Sequence, residues 1–203
     1  MGDIFEFRGI RDLVYAEVTT DNNDSSGGYI TGDVKPLSPV AEIGRTTSSS
    51  SETKYYDNAP AIVINSTGAD EVTLTVAPLT LETLADITGQ YYDATLGAMI
   101  EGERESKYFA IGYKAKGTDG KERYVWRYKG TFNIPDETNA TENDGTDSNN
   151  TTLTFTGIAT THKFTKGGNK VAKALVVDER YDKANLATFF DEVTTPDDLQ
   201  AKS

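Results

Sequence analysis

The chain has 203 residues, with 32 Asp/Glu against 20 Lys/Arg, no Cys and a single His. That length fits one domain with arms. The absence of Cys excludes disulfides and thiolate zinc sites, and one His excludes a multi-histidine metal centre. A formal charge of −12 argues against a simple nucleic-acid binder, which is ordinarily basic, and suits a surface that repels phosphates.

Only 36% of the residues are hydrophobic, so part of the chain is expected outside the core. A polar, Thr/Gly/Asn-rich composition with 11 Tyr favours β structure over helix. No basic and then apolar leader is visible at Met1-Gly2-Asp3, and no apolar run reaches about 18 residues, so no membrane contact is expected.

Residues 12–19 read as a first strand. The Asp/Asn/Ser/Gly segment within 19–32 reads as a long polar loop that buries nothing by itself. Residues 29–35 resume an extended pattern, and Pro36 and Pro39 mark a turn or an edge. Residues 40–47 predict a strand leading into Ser48-Ser49-Ser50-Ser51, so 45–53 is expected as a flexible connection or hairpin tip. A short strand over 61–64 is followed by a turn at Gly68-Ala69-Asp70. Residues 71–76 alternate cleanly, with Val72, Leu74 and Val76 facing in.

A helix is predicted near 80–88. Thr80 can cap it, Glu82 suits its positive end, and Gly89 suits the left-handed position that ends it. Leu81, Leu84, Ala85 and Ile87 form its apolar stripe, and a helix this short must lie on a sheet. After a strand or loop region at 91–101, residues 108–132 read as two alternating strands around Asp119-Gly120, a dipeptide that suits a type I′ turn. Between Ser106 and Phe132 there are seven Lys/Arg against two Asp/Glu, a net of +5, so the rest of the chain carries −17. Tyr124, Trp126 and Tyr128 share one face of the second strand, expected to be core. Arg123, Val125, Arg127 and Lys129 share the other, expected to meet acidic loops of the same or a neighbouring copy.

Residues 136–150 form a second long loop with five acidic and no basic residues. Strands follow at 151–156 and 171–177. The residues thus predict a mainly β domain over 1–177, an all-β sandwich or open barrel with one helix on its side, and long loops at 19–32, 45–53 and 136–150. Residues 178–203 are expected to form an acidic C-terminal arm with a helical turn near 186–190.

Motifs for chemistry are weak. His162 lies between Thr161 and Lys163 near a strand end, and no Gly-x-Ser-x-Gly elbow exists, so no catalytic residue is assigned. Asp21, Asn23 and Asp24 only loosely resemble a calcium loop. Counted from Asp21, position six is Ser26 instead of Gly and position twelve is Gly32 instead of Glu. Gly167-Gly168-Asn169-Lys170 lacks the phosphate-loop spacing. No metal and no cofactor are expected.

The order of three segments resembles the phi13-type major tail proteins, the tail tube family of long-tailed bacteriophages. The first runs from Ala41-Glu42-Ile43-Gly44 to Lys54-Tyr55-Tyr56-Asp57-Asn58-Ala59-Pro60. The second is the strand, helix and Gly unit over 71–89. The third runs from Phe109-Ala110-Ile111-Gly112-Tyr113 through Asp119-Gly120-Lys121 to Tyr124-Val125-Trp126-Arg127-Tyr128-Lys129-Gly130, and on to Pro135 and Thr151-Leu153-Phe155. The resemblance implies two packed antiparallel sheets flanked by a helix, without catalysis. It implies hexameric rings stacked into a hollow tube, in the virion tail and assembled in the host cytoplasm. DNA and the tape-measure protein would pass through the lumen without tight binding, and tail terminator and distal tail proteins would be neighbours.

Within that frame an acidic lumen lets DNA slide, because neutralising contacts would trap it. The candidate subunit contacts are Asp21, Asn23, Asp24, Tyr29, Arg45, Lys54, Lys114, Lys116, Lys121, Arg123, Arg127 and Lys129. The alternative reading is a monomeric β-sandwich that binds carbohydrate through exposed Tyr and Trp on a virion or cell surface.

Overall fold

The computed structural model describes residues 4–23, 28–135 and 150–202. Asp24 and nearly all of the 136–150 loop therefore lie outside the described residues. The fold is mainly β, with one large antiparallel sheet, two small ribbons and one helix.

The large sheet is built from β1 (Phe7–Asp21), β2 (Tyr29–Thr31), β3 (Lys35–Pro36), β4 (Val40–Tyr56), β5 (Ala59–Val76), β8 (Phe109–Gly117), β9 (Glu122–Phe132), β10 (Thr151–Ile158) and β13 (Ala174–Asp178). Its order is β2-β1-β8-β9-β10-β5-β4, with β3 paired to β1 and β13 to β9. One side of β9 is shared end to end. β13 pairs with Arg123 to Arg127, and β10 with Lys129 to Phe132. The two ribbons are β6 (Tyr91–Asp93) with β7 (Ala98–Ile100), and β11 (Lys163–Phe164) with β12 (Lys170–Val171).

Period-two alternation gives the sheet two apolar faces. On one, Leu13, Tyr15, Val72, Leu74, Phe109, Ile111, Val125, Leu153 and Phe155 form a core together with Ile87 of the helix. For strands at opposite ends of the order to share this core, the sheet must curl. It does not close. β1 and β4 face each other without pairing, across a cleft of about 440 Å³ that includes Gly9, Ile10, Ala41 and Ile43. The expected layers are thus hydrogen-bonded into one curled sheet, an open and not a closed barrel.

The other face carries Ala16, Ala110, Trp126 and Tyr128, covered by Phe164, Phe189 and Val193. Trp126 is fully buried, and its indole N–H donates to the Phe189 carbonyl at 2.9 Å. Its ring lies across Gly112, the residue opposite it on β8. A Cβ there would meet Trp126 and Phe190 at under 3 Å, so only Gly admits the ring. Residues 186–190, expected as a helical turn, form hydrogen-bonded turns on this face, after a short 3-10 helix at Glu179–Tyr181.

Helix α1 (Leu81–Thr88) begins and ends on the predicted residues. The Thr80 hydroxyl accepts from the Thr83 N–H, and Gly89 sits at φ 68°. Ala85 and Ile87 are buried, whereas Leu81, expected in the stripe, is 48% exposed at the first turn. Gly89 also meets the 101–107 segment. Glu105 N–H donates to its carbonyl at 2.9 Å, and a Cβ would lie 2.0 Å from the Glu105 oxygen.

Three local expectations are corrected. The loop expected at 45–53, including the four serines, is strand: β4 and β5 pair continuously through it, and the Ser50 and Ser66 hydroxyls bond across at 2.7 Å. Serine is a weak strand former, but the facing Asn65-Ser66-Thr67 and the β-branched residues beyond keep the ribbon extended. The turn expected at 68–70 lies inside β5. The Asp119-Gly120 turn is not type I′. Only Gly120 has positive φ, Gly120 N–H donates to the Gly117 carbonyl, and Asp119 accepts from the Lys121 N–H. The two-residue loop with both φ positive is instead Asp57-Asn58, the tip of the β4–β5 hairpin.

β5 leaves β10 at Asp70, opposite Gly157, and a bulge between Thr47 and Ser49 kinks β4 at the same level. Here the buried Asp70 carboxylate accepts from the Thr47 hydroxyl at 3.0 Å and pairs with Arg127 at 3.1 Å and Lys173 at 3.3 Å, with Arg45 at 3.7 Å. Burial pushes its carboxyl up, but the Thr47 hydroxyl, Lys173 and Arg127 outweigh burial and hold it below the ordinary carboxylate range.

Two predictions follow from these fixed points. Gly89→Ala is expected to destabilise the fold by about 2–3 kcal/mol in urea unfolding, through strain and the clash with Glu105. Because the Asp70 carboxyl titrates lower folded than unfolded, its contribution is complete above about pH 4 and lost as pH falls through the folded value. Asp70→Asn is expected to cost about 3 kcal/mol at pH 7. Melting curves from pH 7 to pH 2 should show a shallower acid decline for this variant than for wild type.

Candidate assembly surface

Among the described residues, the outer half of the β4–β5 hairpin pairs only with itself. From Asp70 to the tip it spans eleven residues, about 35 Å of ribbon, and nearly every side chain along it is exposed. A two-stranded ribbon is marginal in water by itself. This one also carries Tyr55 and Tyr56, 65% and 61% exposed, and Ile62-Val63-Ile64, each at least half exposed. Large apolar side chains gathered on a two-stranded ribbon, with no described strand on either backbone edge, are the chemistry of a docking element.

The candidate contact residues are distributed unevenly around this element. Arg45 and Arg127 are brought together on Asp70 at the hairpin root. Lys54 lies on the hairpin, paired with Glu52. Arg123 pairs with Asp178 at 2.9 Å and lies over the Phe7 ring, and Lys114 pairs with Asp12 at 2.8 Å and lies over Tyr124 and Phe190. Lys116 and Lys121 are exposed at the far end of the β8–β9 hairpin. The two faces of β9 do separate as the alternation predicts, with Trp126 and Tyr128 in one core and Arg127 facing the other side.

A second cluster gathers the remainder. Asp21, turned inward at the end of β1, pairs with Lys129 at 2.6 Å and accepts from the N–H groups of Thr161 and His162, each at 2.8 Å. Burial raises its carboxyl, but Lys129 and the two N–H donors outweigh it and lower it below the usual range. Asn23 accepts from the Lys163 N–H, and the Asn22 carbonyl meets the His162 ring at 3.1 Å. His162 thus clamps the 22–23 segment, and among the described residues it joins no triad. Tyr29 donates to the Tyr128 carbonyl at 2.5 Å and packs edge-on against Tyr128 and Phe164, and burial pushes its phenol up.

Sequence reasoning missed Asp70, Lys173 and Asp178. Each is an ordinary charged residue whose partner comes from a distant strand, and no local pattern marks it. The hairpin tip was legible in principle: Asp57-Asn58 is a pair that tolerates positive φ, flanked by alternating residues. Among the described residues no group of His and carboxylate side chains converges to hold a metal ion, and no helix is long and apolar enough to cross a membrane.

A comparison with curated protein sequences gives no match. A comparison with protein families matches "Phage tail tube protein" over residues 45–195, which takes in the hairpin, the helix, the β8–β9 ribbon, β10 and the C-terminal cover. The chain therefore belongs to the phage tail tube protein family, as a structural component of the virion tail.

Proposed function

We propose that the chain assembles through heterologous contacts into hexameric rings that stack as a hollow tube, and that the β4–β5 hairpin is the element that bridges copies. The observation that carries this reading is the hairpin itself: about 35 Å of ribbon with an apolar tip that no other described part of the chain covers. Docked on a neighbour, it gains the third layer that an isolated ribbon lacks. The polar 19–32 segment and the chain termini are further inter-subunit elements in this proposal.

The chain's −12 charge supports passage of DNA through the lumen without capture. The role is structural, with no catalysis or cofactor. The tape-measure protein fills the lumen before DNA, terminator and distal tail proteins close the ends, and assembly takes place in the host cytoplasm. The carbohydrate-binding alternative loses its main support, because Trp126 is buried under Phe189 and Phe190.

Negative-stain electron microscopy over a range of concentrations should show rings or tubes with a central channel. Ile62→Asp combined with Ile64→Asp should leave melting within about 0.5 kcal/mol of wild type, because both sites are exposed. It should abolish the assemblies. Intact tubes from this double variant would remove the hairpin from the interface.

A further inference from the structure

The hairpin root holds a cationic cleft in an acidic protein. Where β5 diverges from the body, a cleft of about 470 Å³ opens between β4–β5 on one side and β9 with β13 on the other. Arg45, Arg123, Arg127 and Lys173 line it, and Asp70 is the one carboxylate in its lining. Asp178 neutralises Arg123, so three cations share Asp70 and the cleft keeps a net charge of +2. On the adjoining cleft between β1 and β4, Arg8 and Glu42 cancel.

Its cations are incompletely satisfied. Arg127 is 6% exposed, yet its Nε–H has no hydrogen-bond partner among the described residues. Arg45 is half exposed and reaches Asp70 only at 3.7 Å, which leaves most of its donors without a partner among the described residues. A buried, unpaired guanidinium N–H is costly to leave unmade, and planar guanidinium groups are suited to carboxylate oxygens.

The matching charge lies elsewhere on the molecule. The 101–105 turn reads Glu-Gly-Glu-Arg-Glu, and all five residues are exposed. Glu101, Glu103 and Glu105 form no ion pair among the described residues, while Arg104 is turned away, donating from Nε to the Thr88 carbonyl at 2.6 Å. The turn is held from behind, by Gly102 N–H on Gln90 at 2.9 Å and by Glu105 N–H on Gly89 at 2.9 Å. Its carboxylates are therefore presented at little ordering cost.

These two surfaces cannot meet within one copy. The turn borders Thr131 and Phe132 at one end of β9, whereas the cleft lies along Arg123 to Arg127. That separation is about 15–30 Å along the strand, beyond the reach of a Glu side chain. Two complementary patches on different parts of one chain make a heterologous contact, the kind that generates rings or filaments.

We propose that the cleft at the hairpin root receives the acidic 101–105 turn of a second copy of this chain, its carboxylates pairing with Arg45, Arg127 and Lys173. The contact rests on the self-assembly reading above and assigns one of its interfaces.

Charge exchange tests it. One full-length variant carries Glu101→Lys, Glu103→Lys and Glu105→Lys; a second carries Arg45→Glu and Lys173→Glu. If the second melts well below wild type, Arg45→Glu alone, at a half-exposed site, replaces it. Sedimentation and electron microscopy at low and high salt are the readout. Each variant alone is expected to need at least tenfold more protein than wild type to assemble, and an equimolar mixture is expected to recover assembly at low salt, because each reversed patch meets its complement. Wild-type assembly with variants that assemble equally well, or a mixture that fails to recover, overturns this contact and leaves the self-assembly reading standing. Wild type that never assembles, even at the highest concentration, overturns that reading and the contact with it.

Discussion

The carboxylate of Asp70 sits where β5 parts from β10, and three cations from β4, β9 and the approach to β13 converge on it. These ion pairs tie the root of the long hairpin to β9 and to the approach to β13. The backbone ladder that would continue the sheet ends at Gly157, and the next stretch of β9 is occupied by β13 instead. Lys173 reinforces the junction by also donating to the Gly68 carbonyl. A charge buried this deeply is destabilising if its partners are lost, so the geometry of the root is tightly specified. The hairpin extends beyond this root with Tyr55, Tyr56 and Ile62 to Ile64 exposed toward its tip.

The Asp21 cluster plays a comparable part at the C-terminal end of β1. It binds Lys129 of β9 and the 161–162 backbone to one carboxylate, and thereby closes the start of the polar 22–28 segment against the body. Both clusters turn residues that look like outward charges into internal fasteners. The surface charge available to a neighbour is consequently less than composition suggests, and it is polarised. Cations remain at the hairpin root and at the far end of the β8–β9 hairpin, and carboxylates at the 101–105 turn.

Legibility in the sequence followed the range of the interactions. Helix α1 was readable because its determinants, Thr80 and Gly89, are adjacent to it and act through the backbone. The 71–76 and 108–132 strands were readable because alternation is a local signal. Ser48 to Ser51 misled because composition alone suggests flexibility, whereas strand pairing with 65–67 is a long-range constraint. Asp119 misled because the dipeptide Asp-Gly suits more than one turn, and the four-residue connection selected another. The apolar residues of the C-terminal segment, Phe189 and Val193, gave no periodic pattern, yet they cover the Trp126 face. Arg45 and Arg127 stood out in the sequence as charged candidates, but nothing local indicated the carboxylate that brings them together within the chain.

The burial of the only tryptophan has a practical corollary. Trp126 is enclosed by Gly112, Phe189 and Phe190, and its indole is bonded to the C-terminal segment, tens of ångströms from the hairpin tip. Its fluorescence is therefore an intrinsic reporter of whether that segment is seated on the sheet. It is insensitive to what happens at the ribbon. Tyr55 and Tyr56, exposed near the tip, are the aromatic side chains placed to sense the ribbon instead. Seating of the C-terminal segment can thus be followed optically, without an attached label.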